Sequence, residues 1–217
     1  MLAILLDLDG TLLDDRTATS TALDAFLAFH EAANTGRSRH DLLTSWRSIA
    51  AHQWSRYEAG EITFLEQRRH RVREFLRRPL TDEEADKAYE PYGRAYEESW
   101  QLLPGVQEFL RRTTHLPKVI VTNGERSQQL RKARTLGLAE HVRGVVTPAD
   151  CGYWKPHANI FLAALKLLRV HPGECLMIGD DPIRDIEPAR RLGMRSLLVE
   201  AGREEHLFSA IATGGAP

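Results

Sequence analysis

Asp7-Leu8-Asp9-Gly10-Thr11-Leu12 follows directly on the apolar run Leu2-Ala3-Ile4-Leu5-Leu6. A short apolar run without alternation predicts a buried strand, here ending at Asp7. Residues i and i+2 of a strand point the same way, so Asp7 and Asp9 face one crevice. Ligands bind at the carboxyl edge of open α/β sheets, and two acids meeting there suggest a metal and a proton relay. Gly10 lets the chain turn away sharply, and Thr11 brings a hydroxyl that can fix the loop. Asp-Gly is also a common turn dipeptide, so the pair alone is also compatible with a strand end that simply meets water.

Two further segments repeat the arrangement of an apolar run followed by polar residues. Val119-Ile120-Val121 leads into Thr122-Asn123-Gly124, and Leu176-Met177-Ile178 leads into Gly179-Asp180-Asp181, with Asp185 four residues on. Between them stands Gly152-Tyr153-Trp154-Lys155-Pro156. Strands are expected at 119–122, 145–147, 176–178 and 196–199, with helices at 106–112, 127–136, 159–168 and 186–192. Such alternation means parallel strands joined by helical crossovers. Gly137 and Gly193 sit just past two of the helices, where left-handed glycines belong. Pro188 is tolerated if Asp185 caps the last helix, because it then falls in the first turn.

Residues 16–96 read differently, with no convincing strand and apolar positions at helical spacing. Leu23, Phe26 and Leu27 make one stripe; Leu42, Trp46, Ile49, Ala50 and Tyr57 a second; Leu65, Val72, Phe75 and Leu76 a third. Thr81-Asp82-Glu83-Glu84 has the form of a capping box opening a fourth helix. The chain therefore divides into an α/β core, residues 1–15 and 97–217, and a helical insert, residues 16–96, with connections at 13–19 and 97–103. The tail, Thr213-Gly214-Gly215-Ala216-Pro217, is expected to be disordered.

With 42% hydrophobic and 27% charged residues and a formal net charge of −1, the composition argues against nucleic acid or a membrane surface as the main partner. No run approaches the roughly 20 apolar residues of a membrane span, and the first apolar stretch lacks a basic leader. A cytoplasmic protein, monomer or homodimer, is expected. The two cysteines, Cys151 and Cys175, form no metal-type spacing and suit a reducing compartment. The nine histidines show no ligand spacing either. The basic run from Arg68 to Arg78 carries Val72, Phe75 and Leu76 on one side and reads as a solvated helix face. Only five of 29 basic residues are lysines, a bias attributed to genome composition.

In order and spacing, the four motif segments resemble the haloacid dehalogenase (HAD) superfamily, in its helical-cap, phosphatase-like branch. Leu103-Pro104-Gly105-Val106, Gly137-Leu138 and Ile160-Phe161 extend the resemblance over nearly the whole chain. It implies a HAD-like Rossmannoid core, a doubly wound parallel sheet with an inserted all-helical cap that chooses the substrate. It further implies a Mg²⁺-dependent phosphatase acting on a small phosphorylated metabolite, such as a sugar phosphate or nucleotide, through an aspartyl-phosphate.

Phosphoryl transfer needs charge neutralisation, an aligned nucleophile and a proton for the departing oxygen. On the resemblance, Asp7 is the nucleophile and Asp9 the proton donor and later the base. Thr122 and Asn123 contact phosphoryl oxygens, and Lys155 supplies a compact positive charge. Mg²⁺ would be held by Asp7, Asp180 and the backbone carbonyl of Asp9. Asp185 would bind through a metal water or orient Lys155, with Asp181 the competing acid; helix capping is an equal alternative for either. Arg16 is the first candidate for a substrate contact. Haloacid dehalogenation is disfavoured by Asp9, and Schiff-base phosphonate cleavage by the absence of lysine between Arg16 and Asp86. A phosphomutase, or a catalytically silent relative binding a metabolite or protein, shares the same motifs. Glu125-Arg126 and Pro188 depart from the family pattern without removing a catalytic group.

Overall fold

The computed structural model describes residues 3–30 and 36–212, and side chains as far as Phe208. Leu2 and the tail expected to be disordered lie outside the described residues. In chain order the elements are β1 (Ala3–Leu6), α1 (Asp15–Phe29), α2 (Arg39–Glu58), α3 (Phe64–Leu76), α4 (Asp82–Glu98) and α5 (Val106–Arg112). They continue with β2 (Lys118–Val121), α6 (Arg126–Thr135), β3 (Val145–Val146), α7 (Pro148–Cys151), α8 (Ala158–Leu168), β4 (Cys175–Gly179), α9 (Glu187–Arg191), β5 (Arg195–Leu198) and α10 (Glu204–Ala212). The chain forms two compact units, Met1–Asp15 with Trp100–Pro217, and Arg16–Ser99.

The first unit is an α/β fold around a five-stranded sheet of order β3-β2-β1-β4-β5, parallel at every pairing. Its inner strands are apolar on both faces because helices cover both, as crossover connections require. Ala3, Leu5, Val119, Val121, Cys175 and Met177 point to one face and pack with Ile160, Phe161, Ala164, Leu165 and Leu168 of α8. Elsewhere in this unit α5 and α10 meet through Phe109 and Phe208, ring centroids 5.1 Å apart. The chain leaves β1 toward β2 and β3, then returns to the far side for β4 and β5. The switch therefore falls between β1 and β4, where a doubly wound sheet opens its crevice.

Gly137 and Gly193 do adopt left-handed conformations, at φ 68° and 83°. The helix cap before Pro188 differs from expectation. Asp181 caps a single wide turn, Pro182–Ile186, by accepting from the Ile183 and Arg184 backbone N–H groups at 2.8 and 3.0 Å. Asp185 lies inside that turn, and α9 begins after Ile186 with Pro188 still in its first turn. An Asx-type cap on the earlier acid leaves the later one available for other contacts.

The second unit comprises α1 to α4. Thr81 and Thr63 both close capping boxes, with Glu84 and Glu66. Leu23, Phe26 and Leu27 of α1, Leu42 and Trp46 of α2, and Val72 and Phe75 of α3 are buried together with Ala88 and Tyr92 of α4. Trp46 is the hub, its ring 4.9 Å from Phe26, 5.1 Å from Phe75 and 4.7 Å from Tyr92. Leu65 departs from the predicted third stripe and is 53% exposed. It sits in the first turn of α3, two turns before Val72 on the same face, where the helix end is not covered by the buried cluster. The stretch 13–19 is not an extended connection, since α1 already starts at Asp15. Arg69 and Arg73 pair with Asp82, and Arg69 also with Asp86, so this part of the basic run, read from the sequence as a solvated helix face, is paired with acids of α4.

Candidate active site

Asp7 extends β1 by one residue, its N–H donating to Ile178 O at 2.9 Å. The next residues close a tight turn in which the Leu12 and Leu13 N–H groups both donate to Leu8 O at 2.9 Å. Gly10 makes this turn possible in two ways. Its φ of 84° suits glycine, and a Cβ there would stand 2.4 Å from Asp180 Oδ2. The loop after β1 is thereby pressed against the loop after β4. Thr11, wholly buried, has its hydroxyl 3.1 Å from Asp7 Oδ2 and 3.3 Å from Asp180 Oδ1, so one proton serves two carboxylates.

Four charged groups meet at this edge. Lys155 Nζ donates to Asp7 Oδ1 and to Asp185 Oδ1, each at 2.6 Å. Asp7, Asp180 and Asp185 each offer an oxygen within 4.8 Å of the others. Asp7, Lys155 and Asp185 are buried, whereas Asp180 is exposed. Asp185 Oδ2 also accepts from the Asp181 N–H at 3.2 Å. Gly179 makes room for it, since a Cβ there would lie 2.4 Å from Asp185 Oδ2.

The electrostatics follow from three acids facing one lysine. Burial opposes the Lys155 ammonium, but Asp7 and Asp185 together outweigh it and hold its pKa above the ordinary value. Asp180 is pushed up by partial desolvation, then by repulsion from Asp7 and Asp185. Asp185 is raised by burial first and by Asp7 second, against the pull of Lys155. Two carboxyls held above their usual range mark an excess of negative charge that one ammonium does not neutralise. Hard oxygen donors carrying surplus negative charge fit a divalent cation such as Mg²⁺.

The Thr122-Asn123-Gly124 segment follows β2. The Asn123 side chain clamps the backbone of Lys155, with Nδ2 donating to Lys155 O at 2.9 Å and the Lys155 N–H donating to Oδ1 at 2.7 Å. Its amide, expected to reach a phosphoryl oxygen, is thus engaged in placing the lysine. Thr122 Oγ1 accepts from Gly124 N–H at 3.2 Å and from Gln129 Nε2 at 2.8 Å. Glu125 caps α6, and Arg126 pairs with Asp150.

Asp9 joins this arrangement through residues that the motifs did not point to. Its Oδ1 accepts from Lys132 Nζ and its Oδ2 from Gln129 Nε2, each at 2.6 Å. Both partners stand on α6, and both are buried. Lysine scarcity was the overlooked signal. Of the five lysines, Lys118, Lys132 and Lys155 are buried, and Lys132 and Lys155 each hold a motif aspartate. Where arginine is the default cation, a lysine one helical turn from a glutamine is a departure visible in the sequence, and this one is buried. Arg16, by contrast, is exposed at the start of α1 in the helical unit. Among the described residues no helix is long and apolar enough to cross a membrane.

Comparison with known proteins identifies the family. The sequence profile of the haloacid dehalogenase-like hydrolase family matches residues 1–193. Phosphoserine phosphatase of Thermus thermophilus is 29% identical over 223 residues, spanning 93% of this chain and 90% of the relative. Glyceraldehyde 3-phosphate phosphatase of Pyrococcus furiosus is 34% identical over 88 residues, but these span only 41% of this chain and 37% of that protein. The Bacillus subtilis protein YfnB, solved with bound magnesium, superposes with a TM-score of 0.74 at 24% identity, covering 91% of this chain and 88% of the other, which is a likeness of fold. The chain belongs to the haloacid dehalogenase-like hydrolase family.

Proposed function

We propose that the protein is a Mg²⁺-dependent phosphatase of small phosphorylated metabolites. The observation that carries this reading is the meeting of Asp7, Asp180 and Asp185 within 4.8 Å, with Lys155 bonded to two of the three. Asp7, Asp180 and the backbone carbonyl of Asp9 would hold the ion, with Asp185 fixing Lys155 or a metal water. When bound, Mg²⁺ neutralises phosphoryl oxygens and aligns the ester for displacement.

The chain's own residues divide the remaining work. Asp7 attacks phosphorus as the nucleophile, and the ester oxygen departs with a proton from Asp9. Water then attacks the aspartyl-phosphate, with Asp9 taking its proton. Thr122, whose oxygen already accepts two hydrogen bonds, has its own proton to donate to a phosphoryl oxygen. Lys155 balances charge, and Asn123 keeps its backbone in place. The relatives named as phosphatases of phosphoserine and glyceraldehyde 3-phosphate support a small substrate. Choice among alcohols is assigned to the helical unit as a cap, with Arg16 as a candidate contact.

The test is hydrolysis of 4-nitrophenyl phosphate with Mg²⁺, with EDTA, and after Mg²⁺ is restored. Activity should vanish with the chelator and return with the ion. Full turnover in EDTA would exclude the metal-dependent reading, and no turnover in either condition would exclude the phosphatase.

A further inference from the structure

Asp9 carries the two proton transfers of the proposed reaction, yet its carboxylate lies on a loop and is 31% exposed. A loop carboxylate of this kind rotates unless something holds it. Here Lys132 and Gln129, three residues apart on one face of α6, each take one of its oxygens at 2.6 Å. Gln129 also donates to Thr122 Oγ1, so one amide ties the acid–base group to the phosphoryl-binding hydroxyl.

The surroundings show that this bridge is maintained at a cost. Gln129 Oε1 is buried without a hydrogen-bond partner among the described residues, an arrangement that is costly for a buried acceptor. Rotating the amide would relieve Oε1 only by pointing oxygen at the Asp9 carboxylate. Gly124 gives way as well, since a Cβ there would fall 1.8 Å from Gln129 Nε2. Lys132 is buried, with its ammonium 5.7 Å from the centre of the Trp100 ring. An unsatisfied acceptor, a glycine packed against the Gln129 side chain and a buried lysine all surround the placement of one carboxylate.

We infer that Gln129 and Lys132 are positioning residues for the second half of the reaction, in which Asp9 acts as base. This rests on the phosphatase reading. In that half, the water oxygen bonds to phosphorus, the bond from phosphorus to the Asp7 oxygen breaks with its electrons returning to Asp7, and the water proton passes to Asp9. A carboxylate has about four lone-pair sites, so two donors leave others open to water. The two donors fix the orientation of the Asp9 carboxylate for the water step, whereas leaving-group protonation matters little for an aryl ester.

The test is steady-state and rapid-quench kinetics on 4-nitrophenyl phosphate for wild type, Lys132→Met, Lys132→Arg and Gln129→Met. Slowing only phosphoenzyme breakdown lowers kcat and KM together and leaves kcat/KM in place. For Lys132→Met we expect both to fall about tenfold, with phosphoenzyme accumulating, and Lys132→Arg to recover part of the loss. Partial unfolding would instead lower kcat at constant KM with no phosphoenzyme, and that outcome overturns the inference. Should Lys132→Met lose its cooperative thermal transition, Gln129→Met decides by the same pattern. A fall in kcat/KM equal to that in kcat overturns the positioning role while leaving the phosphatase intact. A wild type that forms no phosphoenzyme removes both.

Discussion

The two units treat charge in opposite ways. In the α/β unit, Lys155 is buried with Asp7 and Asp185, and further carboxylate repulsion remains unbalanced. In the helical unit, Arg69 and Arg73 meet Asp82 and Asp86 in partly exposed pairs, while the interior is given over to rings around Trp46. Buried ions cost desolvation, and their mutual attraction recovers it only when the geometry is excellent. Surface pairs cost little and contribute little. A fold gains no stability by crowding three acids at one sheet edge. Their arrangement therefore points to chemistry, and the paired helix face is ordinary surface electrostatics.

The sharpest way to break this contrast is Asp7→Asn, which removes the proposed nucleophile with almost no change in volume. Turnover should drop about ten-thousandfold, while the folded structure persists by far-ultraviolet circular dichroism. A variant retaining a tenth of the activity would take Asp7 out of that role. In the helical unit the corresponding blow is to packing. Trp46→Ala should cost about 3–5 kcal/mol in denaturant-unfolding experiments, because a wholly buried ring with three aromatic neighbours leaves a cavity. A loss below about 1 kcal/mol would mean that α1 to α4 do not depend on that hub.

A smaller effect comes from pH. Asp180 is pushed up to about 7 and Asp185 to about 6, both above the ordinary 3.8 of an aspartate. Between those values the folded state binds more protons than the unfolded chain, so stability falls as pH rises through the window. In EDTA the thermal midpoint should therefore be a few degrees higher at pH 5 than at pH 8. Saturating Mg²⁺ should flatten or reverse that slope, since it stabilises the ionised acids. A midpoint that rises steadily from pH 5 to 8 in EDTA would contradict the carboxylate repulsion. The least effect is expected for Arg69→Met, which removes partly exposed ion pairs and should shift the midpoint by about a degree at most. A large shift there would place stability in the surface pairs after all.

Much of this contrast was legible in the linear chain. Ala3–Leu6, Lys118–Val121 and Cys175–Gly179 announce themselves as strands because buried parallel strands need apolar residues on both faces. Asp7, Thr122, Lys155 and Asp180 stand out because each follows such a run or a loop glycine. Thr81 with Glu84 signals a helix start through local geometry alone. Leu65 misled because helical spacing identifies a face, but the first turn of a helix can project beyond the cluster that covers it.

The sequence by itself determined the alternation of strands and helices, the helical insert, and the acids at the strand ends. Each of these depends on residues close together in the chain and on periodicity. Only the tertiary structure decided which acid caps a turn and which joins the cluster, Asp181 doing the first and Asp185 the second. It alone turned the Asn123 amide to the Lys155 backbone, 32 residues away, and brought Lys132 to Asp9 across 123. Contacts of that separation leave no local periodicity to read. They are settled by where the parallel strands place their ends and by which side chains can share the space beyond them.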